Sequence, residues 1–295
     1  MDEFFVNETK NCNWDDNLIL SFKESLEFID DQYFEKKYKT LKRQYSNVEN
    51  RNIILKEIVL NCGLALESLF SLLCGFVQAG YSYHLWICLY KNHELLEIVK
   101  KITNTNYIPN KLNLNSVSWW EISNYFFGKR EETKELIEIY SKIWRNLSAY
   151  LCDQHRINAY NRIKHGFSAS SNAITELKIG NEEKGITLKG SESGSHFVVV
   201  EKLENTKGHY IWKEQFVNYD VKYLLDVIHI CSYSIMTIKS IMTVLTDRTK
   251  THEVNIFFIK QKYVDKVMEM NHEGIQSMTI QKRTVNYPTP LPDIK

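Results

Sequence analysis

Apolar and polar positions alternate with a helical period through the first half of the chain. From Trp14 to about Tyr45 the run WDDNLILSFKESLEFIDDQYFEKKYKTLKRQY sets Leu18, Phe22, Leu26, Phe28, Ile29 and Tyr33 among charged residues. That spacing predicts one amphipathic helix, with Asp15 or Asp16 available as its cap. Ser46 to Asn52 is polar and reads as a turn. Ile53 to Gly80 is helical again and apolar around more of its circumference, which places it at the centre of a bundle. The segment SYHLWICLYKNHELLEIVKKIT continues the helical pattern after Gly80. Asn104 to Asn115 reads as a loop and holds the one internal proline, Pro109. Trp119 to Phe127 is short and aromatic. Glu131 to Leu151 brings Leu136, Ile137, Tyr140, Ile143, Trp144 and Leu147 to one face behind an acidic start suited to a helix N-terminus.

The period then changes. Six of the eleven glycines fall between Gly166 and Gly208, among the short β-branched or alternating runs ITELKI, GITLKG, HFVVVEK and HYIWKEQF. Three or four antiparallel strands joined by glycine turns are expected there. Asp220 to about Leu245 restores the helical period through Leu224, Ile228, Cys231, Ile235, Ile238, Met242 and Leu245. The run from VNIFFIKQKYVDKVMEM onward fits no single pattern, and PTPLPDIK reads as an extended tail. The expected fold is a mainly α helical bundle with a small antiparallel sheet inserted before its last long helix. A single domain would span residues 1–285, with the insertion at about 172–219 and a tail at 286–295.

Composition narrows the classes. Of 295 residues 43% are hydrophobic and 25% charged, as in an ordinary globular chain, and only four are proline, three of them in the last eight positions. Collagen-like, mucin-like and disordered chains are excluded. Thirty-seven Lys and Arg against 36 Asp and Glu leave a net charge of +1, so nucleic acid would have to be held by a local basic patch rather than a global field. The six cysteines include no CxxC pair and mostly occupy apolar helical patterns, which fits free thiols in a reducing cytoplasm. The acidic N-terminus has no basic, then apolar, signal pattern. The most apolar stretch, ALESLFSLLCGFVQAG, contains Glu67, Ser68, Ser71 and Gln78. A core helix suits it better than a membrane span, so a cytoplasmic protein without membrane contact is expected.

The densest polar cluster in an apolar setting is DQHRINAYNRIKHGF, Asp153 to Phe167. On a helix, Asn158, Asn161 and His165 share a face, with Arg162 one turn from Asn158 and three residues from His165. Amides, a guanidinium, an amine and an imidazole together offer donors to phosphate and a group that exchanges protons near neutral pH. The Lys164-His165-Gly166-Phe167 string also reads as an ordinary helix C-terminus. Glu67, Ser71 and Gln78 line the apolar helix, and a carboxylate on a buried face needs a partner. Contact between Glu67 and the Asp153 to His165 segment is therefore expected. No HExxH, His pair at i and i+4, GxGxxG after a strand, GxxxxGK[ST], GxSxG or kinase signature occurs, so neither metal nor cofactor is expected. Trp119 and Trp120 read either as a core staple or as stacking partners for bases.

Arg145-Asn146 near the end of one helix, and Tyr160-Asn161-Arg162-Ile163-Lys164-His165-Gly166 on the next, resemble the polar interhelical motif of HEPN-type helical bundles. The run Leu66 to Tyr90 also resembles the core helices of uncharacterised bacterial proteins with a YNxxKHG string. The likeness covers roughly residues 50 to 167. It implies a metal-independent RNase or an RNA-binding member of a toxin or phage-defence system, commonly a homodimer. His165 would then shuttle a proton, Arg162 and Lys164 would stabilise phosphate charge, and Asn161 would orient the substrate. Arg145, Asn146, Arg156 and Asn158 would bind substrate, with Glu67 and Tyr160 in support. The alternative is a non-enzymatic scaffold or protein-interaction module in which the same residues form a buried structural network.

Overall fold

A computed structural model describes residues 16–79, 83–105, 117–128, 133–165, 169–170, 176–179, 186–189, 193–202, 209–246, 259, 265 and 277–286. The chain divides into two compact units. One comprises Met1–Arg43, Asn61–Asp153 and Leu225–His272; the other comprises Gln44–Leu60, Gln154–Leu224 and Glu273–Lys295. The protein is mainly helical, and a small antiparallel sheet precedes the last long helix.

The first amphipathic run forms two helices rather than one: α1, Asp16–Glu27, and α2, Tyr33–Tyr45. Paired carboxylates explain the break. Asp30 and Asp31 lie just ahead of α2, where carboxylates are favoured by the positive end of the helix dipole. Asp30 Oδ1 accepts from Gln32 N at 3.2 Å, and Lys239 Nζ donates to Ile29 O at 2.6 Å and to Asp31 Oδ1 at 3.3 Å. The helical phase therefore restarts. Phe22 and Leu26 are buried as the pattern required, but Phe28 is 87% exposed and Tyr33 40% exposed. Phe34, Tyr38 and Leu41 take up the buried face of α2.

A short 3₁₀ turn at Val48–Asn50 leads into α3, Arg51–Ala79. The next stretch again forms two helices, α4 (Tyr83–Leu89) and α5 (Asn92–Thr105). Glu94 Oε2 accepts from Lys91 N at 2.7 Å and so starts α5 afresh. α6, Trp119–Phe127, opens with a full capping box. Glu121 N donates to Ser118 Oγ at 3.3 Å, Ser118 N donates to Glu121 Oε2 at 2.8 Å, and the helix ends at Gly128 with φ 73°. α7 spans Lys134–Leu151, and its six apolar residues named from the sequence are all buried.

The core of the first unit gathers Leu66, Leu69, Phe70 and Leu73 of α3, Tyr140, Ile143, Trp144 and Leu147 of α7, and Ile228, Cys231, Ile235, Ile238 and Met242 of the last long helix, α9 (Val221–Thr246). Burying such a side chain stabilises by about 1.5–3 kcal/mol. Two of the buried polar side chains on α7 pair with α9: Trp144 Nε1 donates to Ser234 Oγ at 3.3 Å, and Tyr140 and Thr237 hydroxyls meet at 3.0 Å. By length and composition α3 and α9 could each cross a membrane, but 72% and 67% of their most apolar windows is buried inside the protein.

The second unit holds α8 (Gln154–Lys164) and six strands: β1 (Ala169–Ser170), β2 (Glu176–Ile179), β3 (Ile186–Lys189), β4 (Gly194–Lys202), β5 (His209–Asn218) and β6 (Ser277–Asn286). The order β1-β4-β5-β6 makes one sheet, and β2-β3 makes a separate hairpin, all pairings being antiparallel. The four glycine-punctuated runs correspond to β2 to β5. The final strand comes from beyond α9, in a stretch that fits no single pattern. Its register shifts against β5 between Trp212 and Lys213, which pair with Arg283 and Gln281 and leave Lys282 as the extra residue. A bulge of this kind moves the alternation to the other parity, so Met278 and Ile280 fall out of phase with Val285. At Gly194 a Cβ would stand 3.1 Å from Val217 O and from Asn218 Oδ1, a close approach that glycine permits at the start of the hairpin. The tail expected at 286–295 lies outside the described residues except for Asn286, which ends β6.

Candidate functional site

α8 packs against β1, β4 and β5 through Ala159, Tyr160 and Ile163, all buried. This apolar stripe is narrow, and apart from the half-buried Ile157 the remaining positions are polar. They separate into two groups along the helix axis.

The first half is tied to the sheet. Gln215 on the central strand β5 is 3% exposed; its amide bonds His155 Nδ1, and its Oε1 accepts from Asn158 Nδ2 at 3.4 Å. Gln154 Nε2 donates to Asn158 Oδ1 at 3.1 Å, extending the chain to the surface. With the amide as donor, His155 accepts at Nδ1 and carries its proton on Nε2. Arg156 is half-buried on the same stretch.

The second half faces solvent. Asn161, Lys164 and His165 are exposed and Arg162 is half-buried. Lys164 Nζ lies 5.3 Å from the centroid of the buried Tyr160 ring, so this cation is held over an aromatic face. His165 N donates to Asn161 O at 3.0 Å in the last turn. Gly166 and Phe167 of the expected helix end lie outside the described residues. Asn158, Asn161 and His165 share a helical face in sequence, but the sheet engages only the first of them.

The other sequence candidates belong to the first unit. Arg145 is exposed and Asn146 half-buried near the end of α7. Glu67 is half-buried on α3, where its charge acts on the Tyr90 hydroxyl. That hydroxyl meets Ser71 Oγ at 2.5 Å; burial raises its pKa first, the bond to Ser71 opposes this, and the Glu67 carboxylate adds to the rise. Within this unit, Glu67 and Ser71 of α3 both act on the Tyr90 hydroxyl.

Two arrangements escaped sequence reading. On α2 and α9, the His229 ring stacks on Tyr38 at 4.2 Å and 3°, and its Nε2 lies 3.2 Å from Glu35 Oε2. Burial lowers its pKa, with Glu35 and Asp226 acting the other way. His229 lies within an apolar period of α9, and nothing local marks its carboxylate partner nearly two hundred residues earlier. The second is an open cleft of about 740 Å³ between the end of α5, the start of α6 and one face of α7. Thr103 lines it from α5, accepting from Trp119 Nε1 at 3.1 Å and meeting Ser148 Oγ at 2.8 Å, while Trp120 and Arg145 line it from α6 and α7.

The described cysteines, Cys62, Cys74, Cys88, Cys152 and Cys231, are free thiols, and burial pushes Cys152 up to about 11. Among the described residues no three His, Cys, Asp or Glu side chains gather as a metal-binding group. Comparison of the chain with family models, with curated proteins and with solved structures returns no match.

Proposed function

We propose that this chain is a HEPN-like protein acting on RNA in the bacterial cytoplasm, in a toxin or phage-defence role, with the outer half of α8 as its phosphate-handling edge. The observation that carries the reading is the split along α8: His155 and Asn158 are committed to Gln215, whereas Asn161, Lys164 and His165 are left to solvent. In the proposed reaction His165 takes the proton of a ribose 2′-hydroxyl as that oxygen attacks the adjacent phosphorus. The bond to the 5′-oxygen breaks, a 2′,3′-cyclic phosphate forms, and the leaving oxygen takes a proton back from the imidazolium. Arg162 and Lys164 offset the charge gathering on the phosphoryl oxygens, and Asn161 orients the strand. A homodimer would bring two such edges together.

The test compares wild type with His165→Ala for cleavage of single-stranded RNA and for growth inhibition on expression. His165 is exposed, so the substitution should leave stability within about 0.5 kcal/mol. Loss of cleavage with RNA binding retained supports the proposal; equal cleavage by both proteins removes the nuclease claim. A scaffold reading is favoured by the Gln154-Asn158-Gln215-His155 network, which fastens α8 to the sheet. It predicts that neither protein cleaves or binds RNA.

A further inference from the structure

The cleft belongs to the first unit, takes none of its lining from α8, and combines three features that single surface residues do not. It is an open cleft of about 740 Å³, within the range of about 300–1,000 Å³ usual for small-molecule sites. It carries a large aromatic ring at its edge. Trp119 and Trp120 are consecutive on α6, so their side chains diverge by about 100°; Trp119 is 3% exposed with its Nε1 bonded to Thr103, and Trp120 is 43% exposed. The capping box at Ser118 and Glu121 fixes the start of the helix and hence the direction of both rings. Among the described residues Trp120 has no ring or hydrogen-bond partner.

The third feature is charge. Glu138, Lys142 and Arg145 follow one another at i, i+4 and i+7 along α7, all on the cleft. Lys142 Nζ is 2.6 Å from Glu138 Oε1, and this bond and charge hold the Glu138 carboxyl below its ordinary pKa. One carboxylate is thus matched to one amine. Arg145 has no carboxylate partner among the described residues and lines the same cleft. An unengaged indole face beside an uncompensated guanidinium is complementary to a flat heteroaromatic ring joined to a phosphate. The Thr103, Ser118 and Ser141 hydroxyls on the cleft are bonded within the protein, so the indole and the guanidinium are the groups left to a ligand.

We propose that this cleft binds a nucleoside phosphate, its base stacked on Trp120 and its phosphate held by Arg145. The ligand is either a free nucleotide or the phosphorylated end of a single strand. The site does not depend on the α8 proposal, and either can fail without the other.

The experiment titrates the full chain with AMP, adenosine, inorganic phosphate and a 5′-phosphorylated oligoribonucleotide, using calorimetry for wild type, Trp120→Ala, Trp120→Phe, Arg145→Gln and His165→Ala. AMP is expected to bind saturably, and adenosine about tenfold more weakly. Trp120→Ala should weaken AMP by about tenfold or more, with Trp120→Phe retaining most of the affinity because the ring face remains. Arg145→Gln should bring AMP down to the level of adenosine, and His165→Ala should leave AMP binding unchanged. Tighter binding of the strand than of AMP identifies a strand end as the ligand; equal or weaker binding identifies the free nucleotide. Absence of saturable binding by either, or AMP binding indifferent to both Trp120→Ala and Arg145→Gln, overturns the proposal.

Discussion

Replacing Gln215 by leucine isolates what fastens α8 to its sheet. Leucine is one bond shorter but of comparable bulk, and Gln215 sits on a strand paired on both sides, with Phe197 of β4 and Thr279 of β6 as its register partners. The substitution removes two side-chain bonds, to His155 and to Asn158. At about 0.5–1.5 kcal/mol each, their loss costs roughly 1–3 kcal/mol. His155 and Asn158 are only half-buried, so water can reach them and the larger penalty for stranded buried groups does not apply. Leucine regains part of the loss through apolar burial, leaving a net destabilisation of about 1–2 kcal/mol. Urea unfolding with an unchanged denaturant slope would measure it, and hydrogen exchange of the α8 amides would localise it. Combining Gln215→Leu with His155→Leu should give a coupling of about 1 kcal/mol, because the second change removes a bond already lost. Strict additivity, or a shift below about 0.3 kcal/mol for Gln215→Leu alone, would refute the view that this network positions the helix.

Two further perturbations probe the first unit. His229 is held below its unfolded value of about 6.5 chiefly by burial, so between its folded pKa and that value the unfolded chain binds the proton more readily. Its contribution is complete above about pH 6.5 and is lost as pH falls, a trend that Glu35 and Asp226 oppose and that Lys39 and Lys42 reinforce. Wild type minus His229→Phe, followed by thermal unfolding from pH 7.5 to 5, should therefore slope against wild type toward acid; a flat difference contradicts this. Lys239→Met removes the amine that bonds Ile29 O and Asp31 at the elbow between α1 and α2, where the pair is about a quarter exposed. After allowance for solvent screening it should destabilise by about 1–2 kcal/mol and speed exchange around residues 28–32, an effect absent if the elbow is fixed by local turns alone.

Much of the fold was legible because its determinants are local. The apolar faces of α7 and α9 can be read at 3.6-residue spacing, and the four strands β2 to β5 are bracketed by glycines, whatever lies next to them in space. The breaks were harder. A continuous apolar period runs through Asp30 and Asp31, but carboxylates favoured ahead of α2 by its dipole and a lysine supplied from α9 split α1 from α2, and exposed Phe28 and Tyr33 follow from the restarted phase. β6 was hidden because its bulge shifts the alternation halfway along.

The same division holds for the candidate sites. Sequence by itself singled out the polar run from Asp153 to His165, since such a density of amides and cations is evident without a partner. Which of those groups are spent on structure depends on Gln215, 57 residues beyond Asn158, and only the packing of α8 on β5 decides it. Arg145 was visible as a charge and Trp120 as an aromatic. That they line one cleft rests on the packing of α6 and of α5 against α7, because a linear pattern specifies the face of a helix but not what another helix sets opposite it.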